Sequence, residues 1–171
     1  GWKVYRDENI AKLARMAVEE TGYGNVESKI LKHKRKVGGV MHDIKGAVSV
    51  GLMERDEASG ISKYAKPVGV IASLVPTTNP CLTPAGQVIY AIKARDVIIC
   101  SPHPRAKKTT NKCINIIRET LVREGAPADI IQGIEEPSIT LTQELMKRCD
   151  LVIATGGRPM VKSAYSSGVP A

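Results

Sequence analysis

The fold is decided by residues 66–108, which read KPVGVIASLVPTTNPCLTPAGQVIYAIKARDVIICSPHPRAKK. The order is an apolar strand, a polar turn, an amphipathic helix, a second apolar strand and a basic loop. A strand that is apolar throughout, as over residues 68–75, is typical of a parallel sheet covered on both faces. Ligands bind such sheets at the carboxyl ends of the strands. The loops that follow the two strands, residues 76–80 and 101–108, are therefore candidate parts of a site.

The same alternation of strands and helices continues beyond this stretch. The pattern predicts a helix over 106–124, a strand over 129–132, a helix over 138–148 with Leu141 and Leu145 facing inward, a strand over 151–154 and a last helix containing Tyr165. Strands that alternate with helices imply right-handed crossovers and a largely parallel sheet. The predicted fold class is α/β, with a Rossmann-like domain over residues 66–171 and helices flanking its sheet.

The N-terminal third divides into helices and a hairpin. Residues 1–46 are predicted to add two helices, over 7–20 and 26–44, to the same domain. Residues 47–65 alternate apolar and polar residues around a glycine-containing turn, which predicts a β-hairpin arm. An isolated hairpin is only marginally stable in water, so the arm is expected to pack against another part of the protein or against a second subunit.

Composition limits the function classes. The 171 residues suffice for one domain, and 43% hydrophobic with 25% charged residues is typical of a globular protein. No apolar run is long enough to span a membrane and no leader is visible, which favours a cytoplasmic location. The four cysteines form no CxxC pair, so neither a metal site nor a disulfide framework is expected, and small buried hydrophobes are the favoured interpretation.

The net charge of +8 suits nucleic acid, a membrane surface or an anionic small ligand. The basic run 32–36 points all round its predicted helix, so a solvated surface is favoured over an anion or subunit contact. An aromatic RNA-binding platform and zinc-finger spacing are both absent from the sequence, and nucleic-acid binding is not expected.

Three loops at strand ends hold the polar groups. Thr155, Gly156 and Gly157 precede a helix, where backbone N–H groups favour an anion, although on local grounds alone a plain glycine turn is the favoured interpretation. His103 and Arg105 belong to a basic loop that suits a phosphate or is simply solvated. The third loop, PTTNP over residues 76–80, offers side-chain donors for an oxyanion or merely caps the next helix.

Three motifs together carry a family resemblance. PTTNP, SPHPRAK and the segment ATGGRPMVKSAYSSG closely resemble the acylating, CoA-dependent aldehyde dehydrogenases. That family includes acetaldehyde and propionaldehyde dehydrogenases and the aldehyde dehydrogenase half of bifunctional aldehyde–alcohol dehydrogenases. The match runs in order over roughly residues 19–171.

The resemblance implies NAD as cofactor, CoA as co-substrate and a small aldehyde as substrate. Homo-oligomers through the hairpin, and a bacterial microcompartment as an alternative location, are further expectations. The residues that match family positions fall into four groups: Pro76 and Thr77 beside the nicotinamide; Thr78 and Asn79 as candidate oxyanion donors; Ser101, His103, Pro104 and Arg105 around the adenosine; and Thr155, Gly156, Gly157 and Met160 near the pyrophosphate.

One departure from the family concerns the nucleophile. In the family, an aldehyde is oxidised on a cysteine thiolate that lies downstream of SAYSSG in a separate catalytic domain. None of the four cysteines here occupies that position. The chain is therefore expected to hold most of a cofactor-binding domain, to lack the catalytic domain and to be inactive alone. The alternatives are a non-catalytic nucleotide-binding or oligomerisation fragment and, remotely, a nucleic-acid-binding module.

Overall fold

A computed structural model describes residues 6–171 of the chain. The helices are α1 (Asp7–Thr21), α2 (Val26–Asp43), α3 (Leu82–Ala94), α4 (Lys107–Arg123), α5 (Ile139–Arg148) and α6 (Arg158–Tyr165). The strands are β1 (Gly51–Asp56), β2 (Ile61–Ala65), β3 (Val70–Val75), β4 (Val97–Pro102), β5 (Ile131–Gly133) and β6 (Leu151–Ala154). Single 3₁₀ turns over Pro104–Ala106 and Ala128–Ile130 precede α4 and β5.

Four strands form a parallel sheet in the order β5-β4-β3-β6. The chain adds β4 and β5 on one side of β3, and then returns to add β6 on the other side. Such a reversal of strand order leaves a crevice at the carboxyl ends of the central strands, where open α/β sheets bind ligands. The predicted Rossmann-like sheet with flanking helices is confirmed.

Both faces of the sheet are covered, which explains why β3 is almost wholly apolar; its one polar residue, Ser73, is buried and donates to Gln87 Oε1. Ile71 and Val75 point into a cluster that includes Leu13, Val37, Val88 and Ile114 from helices α1 to α4. The intervening Ala72 and Leu74 point the other way, towards Met146 of α5 and Ala164 of α6. Alternate residues of one strand thus serve two cores, so both faces of the strand are largely apolar.

Carboxylates close the amino edge of the sheet. Asp96 Oδ1 accepts hydrogen bonds from the backbone N–H groups of Val68 (2.6 Å) and Gly69 (2.9 Å), and Asp150 Oδ2 accepts one from Val70 N (2.7 Å). Gly69 has φ +122°, and a Cβ there would run into the Asp150 carboxylate. The backbone N–H groups of Val68, Gly69 and Val70 at the amino edge are thus bonded within the protein, and the carboxyl edge is the candidate for ligand binding.

Local signals place most helix ends correctly. α1 ends at Gly22 with φ +71°, and the chain leaves α4 through Gly125 with φ +89°, both in the left-handed region that glycine favours. Ser138 caps α5, its side chain accepting from Leu141 N at 3.1 Å. The predicted helices over 7–20, 106–124 and 138–148 thus have their observed ends within a few residues of the predicted ones.

Two predictions in the second half are wrong in detail. Leu141 is 45% exposed, and the buried residues of α5 are Thr142 and Met146, because the helix turns its polar Thr142 toward β4. The strand predicted over 129–132 begins only at Ile131, since Ala128–Ile130 forms a 3₁₀ turn.

The hairpin is a separate two-stranded antiparallel sheet. β1 and β2 pair with an irregularity between Leu52 and Glu54. The predicted hairpin range 47–65 is longer than the paired strands at its start, since the first strand begins only at Gly51. Leu52, Met53, Ile61 and Tyr64 are between 47% and 62% exposed, an unusual concentration of large apolar side chains on a surface.

Candidate functional site

A cleft of about 730 Å³ opens at the carboxyl edge of the parallel sheet. Its walls are the ends of β3, β4 and β6 and the first turns of α5 and α6. This is the crevice that the reversal of strand order creates. We call it the carboxyl-edge cleft.

Ten of the twelve predicted site residues line the carboxyl-edge cleft. They are Pro76, Thr77, Thr78, Ser101, His103, Pro104, Thr155, Gly156, Gly157 and Met160. The other two, Asn79 and Arg105, are adjacent in sequence to lining residues but contact other parts of the molecule. Three loops far apart in sequence thus meet at one site.

Lysines of α2 hold the loop that follows β3. Lys29 Nζ donates to the Thr78 carbonyl oxygen at 3.2 Å, and Lys32 Nζ donates to Asn79 Oδ1 at 2.8 Å. The Asn79 amide also reaches Thr78 Oγ1, with Nδ2 at 3.3 Å. Asn79 therefore faces α2, and Thr78 is the oxyanion-donor candidate that borders the cleft.

The four cations of the basic run on α2, Lys32, Lys34, Arg35 and Lys36, are exposed, as the sequence favoured, and His33 is the buried member of the run. His33 is only 3% exposed, and burial, followed by the charges of Lys29 and Lys32, lowers its pKa to about 4. Lys34 forms an ion pair with Asp7 at 2.8 Å. Lys32 and Lys34 thus contact the loop after β3 and helix α1 from an exposed surface, and only His33 is buried.

The end of β4 is tied to α5. Ser101 Oγ and Thr142 Oγ1 lie 2.7 Å apart, and both residues are buried. Ser101 and Pro102 are still part of β4, so the basic loop begins only at His103. The hydroxyl pair forms part of the cleft wall between the sheet and the helix.

Two of the three cations after β4, Arg105 and Lys107, make contacts within the protein. The Arg105 guanidinium lies over the Tyr23 ring, 5.9 Å from its centroid, and Lys107 pairs with Glu136. Glu20 of α1 accepts from the backbone N–H groups of Lys108 and Thr109, each at 2.8 Å. That carboxylate caps α4, so the α4 N-terminus is already occupied by an anion.

The glycine loop after β6 is left open. Gly157 precedes α6 with φ −71° and ψ 165°, an ordinary extended conformation, and no side chain caps the helix. A Cβ at Gly156 would lie 3.4 Å from Met160, and one at Gly157 would lie 3.8 Å from Pro159. The backbone conformation at position 157 does not require glycine. Because glycine has no side chain, however, it leaves room for an anion above the α6 N-terminus.

Sequence reasoning missed the wall that α5 contributes. The missed lining residues are Pro137, Ser138, Ile139, Thr142, Gln143 and Met146, together with Ser163 of α6. Ser138 entered the sequence analysis only as the first residue of a predicted helix. The topology supplies the signal, because the helix that leads into β6 must begin near the carboxyl end of β5 on the same edge.

The cysteines of the described chain are buried. All four are 0–7% exposed. Burial raises the pKa of Cys81 and Cys100 to about 12 and raises that of Cys149 as well. A nucleophilic cysteine needs the opposite, a lowered pKa and access to the substrate. These thiols pack as small hydrophobes, as the sequence indicated.

The model of the aldehyde dehydrogenase family matches residues 5–169. The chain belongs to the aldehyde dehydrogenase family. Sulfoacetaldehyde dehydrogenase (acylating) from Bilophila wadsworthia is 60% identical over 171 residues, which are all of this chain and 37% of that protein. This chain thus spans little more than a third of the length of that relative.

Solved structures agree with the family assignment. An acetylating aldehyde dehydrogenase from Geobacillus thermoglucosidasius superposes with a TM-score of 0.90 at 44% identity, over 96% of this chain and 37% of that one. Rhodopseudomonas palustris propionaldehyde dehydrogenase, solved with bound CoA and an acylated cysteine, gives a TM-score of 0.83 at 31% identity over 98% of this chain and 38% of that one. The acylating relatives confirm the predicted resemblance.

No helix in residues 6–171 has the length and apolar character needed to cross a membrane.

Proposed function

We propose that this chain is the part of an acylating aldehyde dehydrogenase that binds a nicotinamide dinucleotide and CoA. The supporting observation is the carboxyl-edge cleft, where three predicted loops meet at the reversal of strand order. The parent reaction converts an aldehyde, CoA and NAD⁺ to an acyl-CoA, NADH and a proton. The residues of this chain would bind and orient the two nucleotides.

Within the cleft, each loop supplies a different group. The open turn before α6 offers backbone N–H groups to a pyrophosphate, and the room above Gly156 and Gly157 lets it approach. The end of β4 borders the adenosine, between Pro104 and α5. Thr77 and Thr78 lie at the end of β3, where the resemblance places the nicotinamide and the reacting carbonyl. We assign the oxyanion contact to Thr78 rather than to Asn79, which Lys32 holds.

Calorimetric titration of the chain with NAD⁺ and with CoA tests this proposal. We expect both to bind and to compete, since one cleft would hold both adenosines. A folded sample that binds neither would contradict the proposal. Formation of NADH from an aldehyde and CoA by the chain alone would contradict the expectation that its buried cysteines are not nucleophiles.

For the aldehyde, we propose sulfoacetaldehyde. The support is the relative from Bilophila wadsworthia at 60% identity, which carries that activity in its name. Acetaldehyde and propionaldehyde are the competing substrates, because similar structures include enzymes named for acetylating and propionaldehyde activity. Initial rates of the full-length enzyme with the three aldehydes, at equal CoA and NAD⁺, would decide; a preference for either unsulfonated aldehyde would contradict the assignment.

We also propose that the hairpin β1–β2 joins copies of the protein. Its large apolar side chains are exposed on a ribbon too small to be stable alone. Light scattering of the chain before and after replacing Leu52 and Tyr64, which pair across the hairpin, with lysine would test this. An unchanged mass would contradict the proposal. A cytoplasmic location, with a microcompartment as the alternative, stays a prediction.

A further inference from the structure

A chain of hydrogen-bonded side chains runs from α2 to the carboxyl-edge cleft through the loop after β3. Lys32 Nζ donates to Asn79 Oδ1 at 2.8 Å, and Asn79 Nδ2 donates to Thr78 Oγ1 at 3.3 Å. Lys32 and Asn79 belong to the contact between α2 and this loop, whereas Thr78 lines the cleft. The Asn79 amide therefore lies between a lysine cation and the hydroxyl that borders the cleft.

The orientation of the Asn79 amide is set by the lysine. An ammonium group can only donate, so it must face the carbonyl oxygen of the amide. Nδ2 is then the end that faces Thr78, and Nδ2 can only donate. A reversed amide would place its N–H groups against the Lys32 cation. Lys32 thus makes Asn79 a donor, and not an acceptor, towards Thr78.

The Asn79 amide in turn orients the Thr78 hydroxyl. A threonine hydroxyl has one proton and two lone pairs. Because one lone pair accepts from Asn79, the proton of Oγ1 points away from that amide. The Thr78 backbone is held as well, since its carbonyl oxygen accepts from Lys29 Nζ at 3.2 Å. The Thr78 side chain is exposed at the cleft, so its proton is available to a ligand atom there.

Resting on the proposed function, we propose that Asn79 is a positioning residue: held by Lys32, it keeps the Thr78 hydroxyl proton directed at the aldehyde oxygen. In the parent reaction a cysteine thiolate adds to the aldehyde carbon. A C–S bond forms, and the π electrons of the carbonyl group move to its oxygen, which becomes negative. A donor directed at that oxygen stabilises the transition state. The lysine cation polarises both hydrogen bonds of the chain in the same sense, which strengthens the Thr78 hydroxyl as a donor.

Steady-state rates of the full-length enzyme test this role, with CoA, NAD⁺ and whichever of sulfoacetaldehyde, acetaldehyde and propionaldehyde it oxidises fastest. Thr78→Val removes the hydroxyl. Asn79→Asp keeps the side-chain shape and the Lys32 contact, but it replaces the N–H donor by an acceptor that would draw the Thr78 proton away from the cleft. We expect each variant to lower kcat/KM for the aldehyde at least about tenfold. The double variant should stay within about threefold of Thr78→Val, because Asn79 acts through that hydroxyl.

Two control variants accompany these. Asn25→Asp adds the same negative charge at the start of α2, where aspartate caps a helix as well as asparagine does, and it should keep the wild-type kcat/KM. Thr78→Ser keeps the hydroxyl and should stay within about threefold of wild type. Calorimetry with NAD⁺ is the readout that separates positioning from a loosened loop, and we expect every variant to bind NAD⁺ within about threefold of wild type.

Four results would overturn the inference while leaving the proposed function intact. The first is an Asn79→Asp or Thr78→Val enzyme with wild-type kcat/KM. The second is a full further loss from Asn79→Asp in the Thr78→Val background, which would mean that Asn79 acts directly or through its charge. The third is a loss of NAD⁺ affinity that matches the loss of kcat/KM, and the fourth is an equal loss in Asn25→Asp. A full-length enzyme that oxidises none of the three aldehydes would overturn the proposed function, and this inference with it.

Discussion

The two faces of the parallel sheet end differently at its carboxyl edge. On the face covered by α1 to α4, the protein fills its own polar sites: Glu20 caps α4, and Lys29 and Lys32 hold the loop after β3. On the face covered by α5 and α6, the equivalent groups border the open cleft. We call these the closed face and the open face.

The comparison shows that a loop at a strand end can bind a ligand only where its polar groups are not already bonded to other parts of the protein. The basic loop after β4 and the glycine loop after β6 both precede a helix, and the sequence made each a phosphate candidate. Helix α4, after the basic loop, is capped by the Glu20 carboxylate of α1, whereas α6, after the glycine loop, starts without a side-chain cap. Four predictions test this difference.

The largest effect is expected on the closed face, from His33. Its pKa is lowered from 6.5 to about 4 by burial and by Lys29 and Lys32. Above pH 6.5 the ring is neutral in both states; as the pH falls from 6.5 to 4, only the unfolded chain gains the proton. The free energy of unfolding should therefore be about 3 kcal/mol lower at pH 4 than at neutral pH.

Urea unfolding across that pH range measures the loss. His33→Leu should remove most of this component of the pH dependence, whereas His42→Gln, at the exposed end of the same helix, should retain it. Equal pH slopes for wild type and His33→Leu would show that His33 titrates normally in the folded protein.

The next effect is expected on the open face, from Gly157→Val. Valine accepts the extended backbone at this position, so folding should be preserved, but its side chain would occupy the room above the α6 N-terminus. We expect dinucleotide affinity to fall at least about tenfold in calorimetry, a loss of about 1.4 kcal/mol. Gly46→Val, at an exposed turn with open space around it, is the control. Unchanged affinity in Gly157→Val would place the pyrophosphate elsewhere.

A smaller effect is expected from Glu20→Ala. Removing the carboxylate that accepts from Lys108 N and Thr109 N should lower the free energy of unfolding by about 1 kcal/mol. Nucleotide affinity should not change, because neither Glu20 nor the two residues whose N–H groups it caps line the cleft. Glu19→Ala, exposed on the same helix, should be nearly neutral. A loss of binding in Glu20→Ala at unchanged stability would mean that the α4 cap contributes to the nucleotide site.

The smallest effect is expected from Lys32→Met, which removes the 2.8 Å bond to Asn79. The contact is exposed, so it contributes about 1 kcal/mol or less, and we expect affinity for NAD⁺ to fall by about threefold through a looser loop. Lys36→Met, exposed on the same helix, provides the comparison. An affinity that drops as much in Lys36→Met would indicate a general charge effect rather than positioning of the loop.

Much of the fold could be predicted because its signals are local. The apolar run of β3, the stops at Gly22 and Gly125 and the cap at Ser138 each depend on neighbours in sequence. The inward face of α5 was predicted correctly for Leu145, which packs against the core, and wrongly for Leu141, because Thr142 finds a buried partner in Ser101. That partner is 41 residues away, and no local pattern reveals it.

By itself, the sequence determined the order of strands and helices, the three polar loops at strand ends and the family resemblance, because periodicity and motifs are carried by neighbouring residues. Tertiary structure decided which groups remain available to a ligand. Asn79 and Arg105 lie in the predicted loops, yet contacts from α2 and from Tyr23 take them away from the cleft. Thr142 and Gln143 join it only because α5 begins at the same edge of the sheet. Hydrogen bonds between distant segments are settled by three-dimensional packing, and they determine the chemistry of this edge.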